Sequence, residues 1–223
     1  MTTKIFSLAL GCALLASCGG NDANTVDAKV GDAIENTSQT NVQRTTTYNV
    51  VPASSQVLWT GSKLIGDSHT GTINISDGRL AMAGDDLVGG EFTIDMTSLE
   101  STDLDENTGK ADLEGHLKSG DFFETEKYPT AEFTLVQVQP TSGTPDVTHE
   151  LTGNLEMHGM TKSVTIPVNL VVTPESVTAV TPAFEIDRND WGVKYGSGAL
   201  GLAQDKIIND EVKLVINLKA NRV

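Results

Sequence analysis

Leu151-Thr152-Gly153-Asn154-Leu155-Glu156-Met157-His158-Gly159-Met160-Thr161-Lys162-Ser163-Val164-Thr165-Ile166-Pro167-Val168-Asn169-Leu170 alternates apolar and polar side chains, breaks once, and alternates again. Before the break Leu151, Gly153, Leu155 and Met157 share one face, and Thr152, Asn154, Glu156 and His158 share the other. Such a period of two belongs to β-strands, where successive Cβ atoms point to opposite sides. His158-Gly159-Met160-Thr161 is a short hairpin signal, so the stretch reads as two antiparallel strands with one wet face. Pro167 brings no N–H to a ladder and predicts an edge or bulge at that point.

Outward from this hairpin the pattern repeats. Phe92, Ile94 and Met96 alternate with Thr93 and Asp95, and Val212, Leu214, Ile216 and Leu218 alternate with Lys213, Val215 and Asn217. Further strands are predicted at 56–64, 69–76, 79–82, 131–138 and 176–187, with turns at Ser76-Asp77-Gly78 and Ala83-Gly84-Asp85-Asp86. One segment breaks the rhythm: residues 112–120 place Leu113, His116 and Leu117 on one helical face and lead into Phe122-Phe123. About eight to ten strands and one short helix define an all-β chain, either a two-sheet sandwich or a closed barrel. Periodicity alone leaves both open.

Composition narrows the function. Thirty acidic against 15 basic side chains give the 223-residue chain a net charge of −15, which excludes a phosphate-backbone partner. Both cysteines, Cys12 and Cys18, lie near the start. A disulfide framework, a cysteine-rich zinc site and a thiol nucleophile in the folded body are therefore excluded.

Residues 1–17 carry Lys4 and then an apolar run too short for a bilayer span, which predicts a secretory signal peptide. The run closes on Leu15-Ala16-Ser17-Cys18, which resembles the bacterial lipobox and predicts acylation at Cys18. An ordinary export signal is the competing reading. Gly19 after the cysteine, by resemblance to lipoprotein sorting, favours a lipid anchor in the outer membrane facing the periplasm. From 18 to 47 the chain is polar and without period, and is expected to be a flexible tether with a reach of roughly 30 Å. The folded domain is placed at 48–223.

Other motifs fail on context. Gly196-Ser197-Gly198-Ala199-Leu200-Gly201 matches a dinucleotide fingerprint, but antiparallel patterns surround it, so a glycine-rich loop is expected. Asp103, Asp105, Asn107 and Glu114 have an EF-hand-like spacing with Thr108 where the sharp turn needs glycine, so a solvated acidic loop is expected instead of calcium. His69, His116, His149 and His158 have no converging spacing, and no metal or cofactor is expected. No nucleophile–base motif is present, and no catalytic residue is assigned.

Several phrases in order resemble one family. They are Trp59-Thr60-Gly61, His69-Thr70-Gly71-Thr72, Gly89-Gly90-Glu91-Phe92-Thr93-Ile94-Asp95-Met96 and Leu113-Glu114-Gly115-His116-Leu117-Lys118-Ser119 before Asp121-Phe122-Phe123. Tyr128-Pro129-Thr130-Ala131-Glu132-Phe133, the hairpin from Gly153 to Lys162, and Asn189-Asp190-Trp191-Gly192-Val193 complete the series. Together they resemble the YceI-like polyisoprenoid-binding proteins across 48–220. The resemblance implies a lipocalin-like, extended antiparallel barrel of about eight strands that binds an isoprenoid quinone or polyprenyl lipid as carrier or scavenger, and is not an enzyme. It implies a ligand lining of Trp59, Phe92, Ile94, Met96, Leu117, Phe122, Phe123, Phe133, Leu135, Leu155, Met157, Ile166, Val168, Phe184, Trp191, Leu214 and Ile216. Phe122 and Phe123 either plug one end or anchor the helix. Partners are then the isoprenoid lipid and a membrane through the anchor, with a homodimer left open. Two readings compete with a lined tunnel: a packed structural lipoprotein acting through protein contacts, and an enzyme on the same lipids. At Ala199-Leu200-Gly201-Leu202 the chain departs from the aromatics expected at one barrel end.

Overall fold

The computed structural model describes residues 25–35, 45–142 and 145–223. The signal sequence 1–17, Cys18 and tether residues 19–24 and 36–44 lie outside the described residues. The alternating segments form β3 (Thr46–Val50), β4 (Gln56–Ser62), β5 (Ser68–Ala83), β6 (Asp86–Ser101), β7 (Thr130–Pro140), β8 (His149–Met157), β9 (Met160–Val172), β10 (Ser176–Val180), β11 (Phe184–Asp187) and β12 (Glu211–Arg222). Antiparallel neighbours run β4–β5–β6–β7–β8–β9–β10–β12, and β12 returns to β4, so the sheet closes on itself. This closure decides for a barrel over a sandwich, since the ladder returns to its starting strand. At one end β3 takes the place of β4 between β12 and β5, across a 3-10 turn at Pro52–Ser54. At the other, β11 takes the place of β10 beside β12. Counting each interrupted pair as one strand, β3 to β12 make the eight strands expected.

The opening hairpin is β8–β9, closed by His158 and Gly159 with φ of +53° and +72°. Two consecutive positive φ values make a mirror-image turn whose twist matches that of the flanking strands. His158 is unusual there, and its Nδ1 donates to the Trp191 carbonyl at 3.0 Å while its ring packs edge-on against Tyr128. Pro167 behaves as predicted. β9 pairs with β10 over 169–172 and with a further strand over 162–165, leaving 166–168 without a second partner strand.

Two expectations are corrected. Ser76-Asp77-Gly78 is not a hairpin turn but a bulge inside the 16-residue strand β5, where the register with β6 slips between Ile75 and Asp77. Gly78 has φ +155°, and a Cβ there would lie 2.6 Å from the Glu91 carbonyl oxygen, so glycine marks a kink in place of a chain reversal. Within the expected tether, β1 (Val26–Asp27) and β2 (Lys29–Asp32) are wall strands. β1 pairs in parallel with β11 and β2 in antiparallel fashion with β9. Asn154 completes the seam: its side chain accepts from Ile34 N–H at 2.9 Å and donates to the Ile34 carbonyl at 2.8 Å. Ala28 and Val30 turn inward and pack against the core. Their short alternation went unread because the flanking polar residues dominate the composition of this segment.

The helix α1 spans Lys110–Lys118, two residues ahead of its predicted start, and begins at Gly109 with φ +96°. Leu113, Leu117 and Phe123 pack against the barrel core, in which Ile75, Met82, Val177 and Ala220 are fully shielded from solvent.

Candidate functional site

Polar side chains of the 103–114 loop are bonded to one another and to the barrel end. Asp103 accepts from His69 Nδ1 at 2.9 Å, from Thr70 N–H at 3.0 Å and from Ser101 Oγ at 2.9 Å. Asp105 accepts from Asn107 N–H at 2.8 Å and from Thr108 Oγ1 at 3.1 Å, while Glu114 accepts from Ser101 N–H at 2.8 Å. Asp103 and Glu114 thus tie this loop to the barrel end, and Asp105 closes the loop on itself. Among the described residues no group of three metal-ligating side chains converges. Chelator is expected to leave the melting temperature unchanged, and a sharp drop would reveal a metal in this loop.

Asp103 has its own pH signature. Burial, the largest single influence, pushes its carboxyl up, but hydrogen bonds from His69, Thr70 and Ser101 together outweigh this and lower it to about 2. A depressed carboxylate stabilises the fold above its ordinary value of 3.8 and loses that contribution as pH falls towards 2. Asp103→Asn should therefore cost about 1 kcal/mol near neutral pH after solvent screening, a difference that vanishes by roughly pH 2. Urea midpoints of both proteins across this range check it.

Inside the barrel, side chains from β5, β6, β7, β8, β9, β10 and β12 surround an apolar cavity of about 40 Å³. Phe92 and Phe133 stack at its centre with ring centroids 5.1 Å apart. The Phe133 ring lies over Gly153, where a Cβ would sit 2.2 Å from it, so this glycine is the recess that admits the aromatic. Of the predicted lining, Phe92, Phe133, Leu135, Ile166, Val168 and Ile216 border the cavity. The structure adds Leu80, Leu87, Leu151, Leu170, Ala179 and Leu218, with Gly90 and Thr181. Leu151 and Leu218 were legible from their alternating faces, whereas Gly90 has no side chain to signal. Thr181 is the one polar side chain in the lining, and its Oγ1 is occupied by accepting from Ile216 N–H at 2.8 Å. The rest of the lining is apolar or glycine, so no other polar side chain faces the cavity. It is a small cavity and not the open tunnel expected: about 40 Å³ is room for no more than a few water molecules, against roughly 300–1,000 Å³ for ligand pockets.

The other predicted positions belong to the α1 end or to the core around it. Trp59, Ile94, Met96, Met157, Phe184 and Trp191 are buried in the core, with Leu117, Phe123, Leu155, Leu214 packed against it, and none borders the cavity. Trp59, Leu214 and Phe184 are aligned across β4, β12 and β11. The Trp59 indole N–H is buried with no acceptor, whereas that of Trp191 donates to the Leu155 carbonyl at 3.1 Å. Phe122 stands apart, packed against His116 and Tyr195 with the Arg188 guanidinium above its ring at 5.9 Å. Phe122 therefore anchors the segment after α1, and Phe123 reaches the barrel.

Arg188, not singled out in the sequence, organises this closed end. Its guanidinium donates to the carbonyls of Val193 at 2.7 Å, Asn209 at 3.2 Å and Ile208 at 3.3 Å, and to Asp210 Oδ1 at 3.1 Å. Asp210 also accepts from Ser197 Oγ at 2.8 Å, which binds the glycine-rich segment into the same network. Gly198–Leu200 is only a short 3-10 turn in a loop, so the dinucleotide-like spacing has no helix to serve.

Two solved structures share this architecture. BcnA of Burkholderia cenocepacia aligns with a TM-score of 0.60 at 23% identity, over 77% of this chain and 99% of that one. A polyisoprenoid binding domain from Saccharophagus degradans, implicated in plant cell wall breakdown, aligns with a TM-score of 0.59 at 20% identity, over 79% and 98%. Among curated relatives, the protein YceI of Escherichia coli O157:H7 is 36% identical over 124 residues, 53% of this chain and 59% of its own length. A UPF0312 protein of Pseudomonas aeruginosa is 40% identical over 65 residues, 29% of this chain and 32% of its own length. The matches thus span less than two thirds of either relative. The profile of the YceI-like domain matches residues 48–220, and with the ring closure and the apolar interior it shows that this chain belongs to the YceI-like family.

Proposed function

We propose that this protein binds one long isoprenoid lipid, a polyprenyl or isoprenoid-quinone chain, inside the barrel, and acts as a carrier or scavenger at the bacterial envelope. The observation that carries the reading is the lining itself: apart from Thr181, whose hydroxyl is internally bonded, every side chain around the cavity is apolar. The structural likeness to a polyisoprenoid binding domain supports the ligand class. Because the cavity is small, loading requires the stacked Phe92 and Phe133 to turn and the wall to widen. Mixing delipidated protein with a polyprenol and separating by size should give close to one polyprenol per chain. None co-eluting contradicts the reading.

The small cavity also favours a second reading, a packed lipoprotein that acts through protein contacts. The same experiment separates the two, since a solid interior takes up no polyprenol. Turnover is not part of either reading.

The envelope location rests on Cys18. Acylation there would hold the protein on a membrane, with the outer membrane favoured by Gly19. Cys18→Ser should release the protein into the soluble fraction or leave the signal uncleaved. A fully soluble wild type, with an unmodified amino terminus at another residue, contradicts the anchor.

A further inference from the structure

The cavity approaches the barrel wall at a place where ladder pairing stops on both sides. On β9, residues 166–168 lie between the part that pairs with β2 and the part that pairs with β10. Facing them, the chain leaves the sheet at 181–183 between β10 and β11. Each lip carries a proline, Pro167 and Pro182, which has no N–H with which to close a ladder. Ile166, Val168, Ala179, Thr181 and Ile216 stand around this gap, and all five line the cavity.

The outer surface matches. Val26, Val171 and Val180 are exposed at 43%, 52% and 38%. Val171 pairs with Thr178 and Val180 with Asn169, so the outward side chains between the valines are uncharged in a chain of net charge −15. The amino-terminal strand enters here: Val26 N–H donates to the Ala183 carbonyl at 3.1 Å. The nearest acids in this strand pair, Asp27 and Glu185, lie one position further toward the α1 end. Six residues separate Cys18 from Thr25, so seven Cα–Cα steps give a reach of at most about 25 Å.

We infer that this interruption is a lateral portal, and that the isoprenoid chain passes through it directly between the cavity and the bilayer. The inference rests on the proposed lipid binding and anchoring. An acyl chain on Cys18 holds the Val26 lip within reach of the membrane. The valines then meet acyl chains, and the lipid moves from one apolar surroundings to another without crossing water. The amino-terminal strand, outside the family domain at 48–220, forms one lip of the portal.

The test follows transfer of a fluorescent polyprenol from the acylated protein to phosphatidylethanolamine–phosphatidylglycerol vesicles. Val26→Arg and Val180→Arg should each slow transfer tenfold or more, with unchanged polyprenol bound at saturation. Val88→Arg, at a 50% exposed valine on β6 across the ring, should transfer at the wild-type rate. Lip variants that transfer as fast as wild type overturn the portal while leaving lipid binding intact, whereas a wild type that takes up no polyprenol overturns the binding reading and the portal with it. Orientation is read separately. On vesicles of brominated lipid, fluorescence added by Val180→Trp should be quenched and that added by Val88→Trp should not. Equal quenching at both positions contradicts a membrane-facing portal.

Discussion

Ile166→Trp is expected to lower the lipid recovered per folded chain by tenfold or more, at a cost of about 1–3 kcal/mol in stability. Ile166 is buried on β9 and borders the cavity, so an indole has the void beside it to enter. Filling that void removes the point from which the interior can widen. Ile94→Trp is the informative contrast. Ile94 is equally apolar and mid-strand, but it faces Ala131 and Ile75 in register and does not border the cavity. Its replacement should reduce the amount of folded protein while the folded fraction keeps its lipid. Size-exclusion chromatography followed by mass spectrometry of the extract checks both. Ile166→Trp protein that is folded and fully loaded contradicts the position of the ligand.

The energetics of loading make such an effect plausible at modest affinity. Burying each CH₂ contributes about 0.8 kcal/mol relative to water, so a chain of some forty carbons would sum to roughly 30 kcal/mol. That exceeds the practical ceiling of about 21 kcal/mol for non-covalent binding, so water is the wrong reference. The competing solvent is the bilayer. Near-parity with it suffices for loading and release, and an apolar interior meets that condition.

Arg188→Met should cost about 3–5 kcal/mol, the largest stability loss expected of any single change at the closed end. The side chain is 2% exposed, and burial pushes its guanidinium below its ordinary value while Asp210, Asp187 and Glu211 act in the opposite sense. Methionine fills much of the same space but leaves three carbonyls without the guanidinium and the half-buried Asp210 without its cation, with only Ser197 Oγ still donating to it. For a chain of this size the melting temperature should fall by roughly 6–20 °C. Arg188→Lys keeps the charge but lacks the planar fork that reaches several carbonyls at once, so it should recover only part of the loss. A Met variant as stable as wild type would show that the loop from Val193 to Asp210 does not depend on this residue.

What the sequence revealed follows its periodicities. Strands β8 and β9 were legible because Leu151 to Leu170 alternates on both sides of a single break, and Pro167 marked the place where β9 loses a partner. The bulge at Gly78 was read as a reversal because a turn and a kink use the same residues, Ser, Asp and Gly. The wall strand at Val26–Asp32 was missed because two inward positions, Ala28 and Val30, are too few to set a period. Alternation identified inward faces but could not assign their level along the barrel axis. Trp59, Phe184 and Leu214 share an inward row with one another yet lie away from the cavity, and Leu80 and Leu170, both within segments predicted as strand, border it. Arg188 was silent because its role depends on four acceptors from residues 193 to 210 that only the fold gathers.

Lipid binding in the barrel is tested most directly by mass spectrometry of an organic extract of the protein, purified from its own cells in gentle detergent. The account predicts a single class of long isoprenoid lipid at close to one molecule per chain, strongly depleted in Ile166→Trp. An extract with no isoprenoid above the level of an equally purified unrelated membrane protein would contradict it.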